Sequence, residues 1–228
     1  GPLLYIQHTE GESGVTIISE TNVPERLLKA DDGVWWDAGN GILQGYAKAG
    51  NQPAKIRQNL SGLDSGHAID LVQSSTTTAV LGWLLVQDGQ STSAVAYDGL
   101  GSEFTAVSSP DGVTWTHLER LDERHLAAIG WRASTAPGQN PAQPERQAAI
   151  SLIQIDDGTM VLLETLNGPE GSVHTALATA DEMVLVATEQ GAILVGSDTE
   201  ITAIDVKSAA AMVAEDGSIW FAGGADST

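Results

Sequence analysis

Ala30-Asp31-Asp32-Gly33-Val34-Trp35-Trp36 returns near the other end of the chain as Ala214-Glu215-Asp216-Gly217-Ser218-Ile219-Trp220. An apolar pair, Leu27-Leu28 or Met212-Val213, precedes each copy. Asp-Gly between two apolar runs is a hairpin signal, because both residues tolerate the dihedrals of a tight turn. A hairpin that recurs along a chain points to a repeated β-architecture. Working outward, short runs rich in Val, Ile, Thr and Trp alternate with clusters of Gly, Asp, Asn and Ser. They include Leu3-Gln7, Val15-Ser19, Ala68-Gln73, Thr78-Val86, Ala94-Tyr97, Phe104-Ser108, Leu126-Arg132, Ala148-Ile155 and Met160-Leu166. This is the strand-and-turn pattern of an all-β protein, and no window carries a capped helical stripe. Ala209-Ala210-Ala211 has helical propensity, but the Asp-Gly hairpin that follows predicts a strand.

The clearest unit runs from His174 to Val206, with four short strands joined at Asp181-Glu182, Gln190-Gly191 and Asp198-Glu200. Four antiparallel strands in this span make one blade of a β-propeller. The next unit opens at Ser208 and has two strands before the sequence ends; Leu3-Gln7 and Val15-Ser19 supply the missing two. Inner strands are expected near Arg26-Ala30, His67-Gln73, His125-Arg132, His174 and Ser208. The fold expected is therefore a single all-β propeller domain over residues 1–228, of about five four-stranded blades closed by strands from both termini. At 228 residues that is about 46 per blade; six thinner blades is the alternative. Residues 133–146, rich in Pro, Gln and Ala, read as an exposed loop within the third blade. Gly1-Pro2 reads as the remnant of a cleaved tag.

Thirty acidic residues against ten basic ones leave a net charge of −20. Nucleic-acid binding is disfavoured, because it rests on Lys and Arg neutralising phosphates. Anionic membrane surfaces are disfavoured likewise, and no apolar run reaches the roughly eighteen residues of a membrane span. Two readings of the charge remain: a halophilic, hydrated surface, or a basic partner. The acidic residues are spread along the chain, which favours the first. Cysteine is absent, so disulfides and thiolate metal sites are excluded. No glycine-rich loop leads from a strand into a helix, so no nucleotide cofactor is implied. Asp31-Asp32-Gly33 and Asp156-Asp157-Gly158 lack the acid spacing of a calcium loop and read as hairpin turns.

Ser109-Pro110-Asp111-Gly112-Val113-Thr114-Trp115 resembles the Asp-box, or BNR repeat, of sialidase-like propellers. The likeness rests on Ser109, Asp111, Gly112 and Trp115, with one residue fewer between Asp and Gly than the fuller pattern has. The resemblance implies a structural brace on a turn between the outer two strands of a blade, away from any catalytic face. Sialidases, by the same resemblance, use an arginine triad and a Tyr nucleophile. Glycoside hydrolysis otherwise needs two carboxylates facing across a pocket. Arg26 and Arg124 sit near inner-strand entries, but no pair of acids stands out among thirty, and no catalytic set is assigned.

His67, His125 and His174 each precede an expected inner strand, which would place them equivalently at one end of a central channel. There they are candidates, with Arg26 and Arg124, for a binding site. Converging imidazoles would suit zinc; the alternative has each His bonding a neighbouring loop, as the Gly-His pair of WD-repeat proteins does. Trp35 and Trp36 occupy adjacent strand positions, hence opposite faces. Trp83, Trp131 and Trp220 are expected to pack between blades. The function expected is a non-catalytic binding or scaffolding module for a protein partner, within a larger extracytoplasmic, secreted or halophile protein. A carbohydrate-binding propeller and a degenerate sialidase-like hydrolase are the alternatives.

Overall fold

The computed structural model describes residues 3–9, 12–19, 28–30, 33–37, 42–49, 52–59, 66–74, 82–97, 106–133, 146–156, 159–179, 181–207, 210–214 and 216–222. Side chains are described for Leu28 and for nearly all of these from 66 onward. Every regular element among them is a strand, so none of the described residues forms a helix that could cross a membrane.

The chain folds into successive antiparallel meanders. β1 (Leu3–Thr9) and β2 (Glu12–Ser19) form a hairpin. The first four-stranded sheet is β3 (Leu28–Ala30), β4 (Gly33–Asp37), β5 (Ile42–Ala49) and β6 (Gln52–Asn59). The second is β7 (His67–Gln73), β8 (Gly82–Asp88), β9 (Ser91–Tyr97) and β10 (Ala106–Ser108). The third is β11 (Val113–Arg120), β12 (His125–Ala133), β13 (Arg146–Asp156) and β14 (Thr159–Glu170). The fourth is β15 (Val173–Ala178), β16 (Met183–Thr188), β17 (Gly191–Gly196) and β18 (Ile201–Ile204). A final hairpin joins β19 (Ala210–Val213) to β20 (Ile219–Ala222). In each four-stranded sheet the strands lie side by side in chain order.

The repeated phrase at residues 30–36 and 214–220 falls on the same step twice: the hairpin from first to second strand, β3–β4 and β19–β20. The unit from His174 to Val206 is the fourth sheet, and Ala210-Ala211 lie in a strand as expected. The two terminal hairpins stand as separate two-stranded sheets.

Packing explains why the strands read as nearly continuous apolar runs. Successive residues of a strand point to opposite faces. Leu126 and Ala128 of β12, with Ala149 and Ile153 of β13, pack with Ile69, Trp83, Leu85 and Ala94 of the second sheet. Their neighbours Ala127, Ile129, Ala148, Ile150 and Leu152 pack the other way, with Val184, Val186, Ile193 and Val195 of the fourth. Leu185, Ala187 and Ala192 then face Ala211, Val213, Ile219 and Phe221 of the last hairpin. Sheets thus stack face to face in chain order, and the first strands touch in series: β3 with β7, β7 with β11, β11 with β15, β15 with β19.

Trp115 is the node between the second and third sheets. It is fully buried, its backbone N–H donates to Thr92 Oγ1 at 3.0 Å, and its indole N–H donates to Ser151 Oγ at 3.0 Å. Ser151 Oγ in turn lies 2.9 Å from Thr165 Oγ1, so no polar atom of the indole is buried unpaired. Gly130 pairs with Trp115 across β11–β12. A Cβ there would come within 1.9 Å of the Thr114 carbonyl oxygen, so only glycine admits the close approach.

The structure corrects three expectations. The segment after Gly112 is itself a first strand, β11, so His125 opens the second strand of its sheet while His67 opens a first strand. The Ser109–Trp115 segment therefore links two sheets, from β10 to β11, and is not a turn between the outer strands of one. β5 and β6 were not among the apolar runs at all, because Gln, Lys, Asn and Pro dilute them. Pro53 is tolerated because β6 is the outermost strand of its sheet. Of the expected loop over residues 133–146, Ala133 ends β12 and Arg146 begins β13 of the third sheet, and the residues between them lie outside the described residues.

Trp115→Ala is expected to cost about 3–5 kcal/mol, the range for emptying a buried Trp site. Chemical denaturation would check it. A loss near 1 kcal/mol would mean that Trp115 does not hold the two sheets together.

Candidate functional site

The first strands carry the most distinctive polar chemistry, and they use it to bond sheet to sheet. Asp70 lies in the middle of β7, where a bulge between Ala68 and Asp70 interrupts the register. Its carboxylate accepts the Leu71 N–H at 2.9 Å and, across the sheet boundary, the Leu118 N–H of β11 at 2.7 Å. Glu119 of β11 accepts the Ala178 N–H of β15 at 3.3 Å. Thr175 of β15, beside another bulge, accepts the Ala211 N–H of β19 at 3.3 Å. Three consecutive boundaries thus share one device: a side-chain oxygen meets a backbone N–H on the neighbouring first strand. An edge N–H left unpaired would be costly if buried, and these acceptors satisfy it. None of the three acceptors was singled out from the sequence. The available signal was Asp70 itself, a charge in the centre of the otherwise apolar run Ala68-Ile69-Asp70-Leu71-Val72.

The histidines do not share one site. His67 is exposed at the start of β7. His174 is part-buried, with Nδ1 3.1 Å from Thr175 Oγ1, and its Nε2 is buried with no hydrogen-bond partner among the described residues. His125 belongs to the β11–β12 turn, where Nδ1 lies 2.8 Å from Asp122 Oδ2. Local bonding, the alternative to a metal cluster, describes His125 and His174. Among the described residues no three His, Asp or Glu come together to hold a metal ion. Arg26 lies outside the described residues.

Around His125 the turn is built by its own carboxylate. Asp122 Oδ1 accepts the Arg124 N–H at 2.6 Å, and the His125 carbonyl accepts the Leu121 N–H at 3.0 Å. Arg124 reaches Asp156 at 3.8 Å, with both side chains 69% exposed, an ion pair of small energetic weight. Burial works to raise the Asp122 pKa; the bonds from the Arg124 N–H and the His125 imidazole outweigh it, and the carboxyl sits below its ordinary value. The Asp122–His125 pair is the orienting half of an acid–base unit, but among the described residues no hydroxyl bonds its other ring nitrogen, as a nucleophile would.

The Asp-box-like residues do different work from that expected. The Val113 N–H closes the turn on the Pro110 carbonyl at 3.0 Å, and Gly112 takes φ +75°. Asp111 is exposed, and Trp115 faces inward. A carboxylate-braced turn occurs instead at the second copy of the repeated phrase. There Asp216 Oδ1 accepts both the Ser218 N–H at 2.9 Å and the Ser218 hydroxyl at 2.6 Å. The Trp220 indole N–H donates to Ser218 Oγ at 2.9 Å. Trp83 is buried as expected, and Trp131 lies under Arg146 with the guanidinium carbon 4.2 Å from the ring centroid. Trp220, expected between blades, is 65% exposed.

Two outcomes test these bonds. Asp70→Ala is expected to lose about 1.5–3 kcal/mol, the range for a bond to a charged group, with Asp70→Asn losing less because an acceptor remains. Equal stability of Asp70→Ala and wild type in urea would exclude the cross-sheet bond as a support. Because Asp122 has its folded pKa depressed, its contribution is complete above the unfolded value of 3.8 and is lost as pH falls through the folded value. The stability advantage of wild type over Asp122→Asn should accordingly be present at neutral pH and vanish in acid below 3.8. An advantage unchanged in strong acid would assign it to something other than the carboxylate's charge.

Compared with protein-family models the chain matches none, and comparison with curated proteins finds no significant similarity.

Proposed function

We propose that this chain is a non-catalytic binding or scaffolding module: a propeller of about five sheets, closed by strands from both termini, that presents an acid-rich surface to a protein partner. The observation that carries the reading is the use made of the first strands' polar groups. Asp70, Glu119 and Thr175 bond neighbouring sheets to one another, and Asp122 braces the turn that holds His125. Side chains engaged in this way make a stiff scaffold, and function is argued from a site, not from a fold. On this reading the partner surface is rich in Lys and Arg, complementary to a net charge of −20, since complementary charge steers encounter and suppresses wrong partners. A place within a larger extracytoplasmic or halophile protein fits the same charge.

One observation favours a second reading. Trp220 is 65% exposed and stands beside Ser218 and Asp216, an arrangement on which a sugar ring could stack. The two readings separate in one set of measurements. Lys/Arg-rich peptides should bind the full chain at low salt and release it near 1 M, where the Debye length falls to about 3 Å. A panel of mono- and disaccharides should leave the melting temperature unchanged. A saccharide present at a hundred times its dissociation constant would add about 2.7 kcal/mol. Such a shift, absent from Trp220→Ala, would replace the protein-partner reading with the carbohydrate one.

A further inference from the structure

Among the described residues, the last strand of each four-stranded sheet pairs on one side only. Its open edge offers a row of backbone N–H and C=O groups to any extended chain that reaches it. Short length, proline and positive charge are the means by which proteins keep such an edge unpaired, and three of the four strands use them. β10 and β18 have three and four residues, and β6 carries Pro53, Lys55 and Arg57. β14 is different. It runs for twelve residues, Thr159–Glu170, has no Lys or Arg, and holds its one proline, Pro169, next to its end. We propose that the outer edge of β14 is a docking strand: an extended segment of a protein partner, carrying Lys or Arg together with aliphatic side chains, adds to it as a fifth strand of the third sheet. The proposal rests on the protein-partner reading above and says where that partner is held.

The side chains along β14 select that occupant. Leu163 is the extra residue of a bulge: Leu162 pairs with Ile153 and Glu164 with Leu152. The strand is regular on either side, over Thr159–Leu162 and Glu164–Asn167. A bulge can re-aim a side chain, and here Leu163 is 46% exposed, close in sequence to Val161 at 55%. Aliphatic surface thus stands where a protected edge would carry charge. Glu164 and Glu170 are exposed as well, and neither is ion-paired among the described residues. An added strand gains main-chain hydrogen bonds whatever its sequence, and its side chains decide whether it is the right one. Aliphatic residues would cover Val161 and Leu163, and a Lys or Arg would face Glu164, since opposite charges on neighbouring strands attract. A second copy of this chain fits poorly. Its own β14 brings two more carboxylates and no cation, and each chain carries a net charge of −20, which keeps copies apart.

Amide hydrogen exchange on the full chain at low salt tests the docking, with an acetylated peptide of about ten residues alternating Lys and Val as the probe. The bound peptide should slow exchange about tenfold in residues 159–167, because outward N–H groups of β14 gain acceptors. Val161→Lys should weaken binding about tenfold, a loss of about 1.4 kcal/mol. Ile201→Lys makes the same charge change at a 42% exposed position on β18 and should bind as wild type does. If Val161→Lys does not fold, Leu163→Lys gives the same readout. A peptide with Pro in place of each Val keeps its charge but lacks those main-chain donors, and it should bind at least about tenfold more weakly. Equal binding of the two peptides would overturn strand addition. Binding that leaves residues 159–167 unprotected, or that Val161→Lys and Ile201→Lys weaken alike, would overturn this site and leave the protein-partner reading standing. Failure of the alternating peptide and of Lys/Arg-rich peptides in general to bind would sink both. A wild-type dimer that Val161→Lys dissociates would make the occupant a second copy and overturn the proposal.

Discussion

A sheet that is apolar on both faces cannot stand alone, and that constraint governs this molecule. Leu126 and Ala128 look one way from β12 while Ala127 and Ile129 look the other, and all four are buried. The third sheet, and likewise the fourth with Val184 and Val186 on one face and Leu185 and Ala187 on the other, thereby requires a neighbour on either side, and stacking in chain order supplies them through short connections. Trp115 shows how firmly two sheets are joined: it sits between β12 and the second sheet, and the third sheet's Ser151 receives its indole N–H. Inside the third sheet the fit is sensitive to single atoms as well, since a Cβ at Gly130 of β12 would run into the Thr114 carbonyl of β11.

Apolar packing alone leaves the positions of neighbouring sheets loosely specified, and the first strands add direction. A carboxylate or hydroxyl at each of three boundaries takes a backbone N–H from the next first strand. Bulges beside Asp70 and Thr175 place those side chains where an alternating strand would not. Two of the chain's thirty acidic residues, Asp70 and Glu119, thus serve as supports between first strands.

Much of the architecture was legible in the residues. The repeated Asp-Gly phrase marked the step from first to second strand in two sheets, and the His174–Val206 unit was readable to its turns. What escaped notice had physical causes. β11 was hidden because Ser109–Trp115 reads naturally as one turn motif, although the chain is extended from Val113 onward. Missing that strand shifted His125 to a first-strand position and produced a histidine set that the fold does not assemble. β5 and β6 carry too many polar residues to show as apolar runs, since only part of such a strand needs to meet a core. The polar supports were harder still, because a lone Asp or Thr in a strand looks the same whether it faces water or a neighbour's N–H.

By itself the sequence determined the class and the repeat: strands from alternation and β-branched composition, turns from Asp and Gly, a serial plan from the recurrence of one phrase. These are local properties, set by dihedral preference and by the period-two geometry of a strand. Only the tertiary structure decided which strand leads each sheet, that Asp70 and Glu119 serve neighbouring backbones, and that Trp115 is interior while Trp220 is not. Those outcomes depend on which sheet lies against which, and that relation between distant segments is not written in any short stretch of residues.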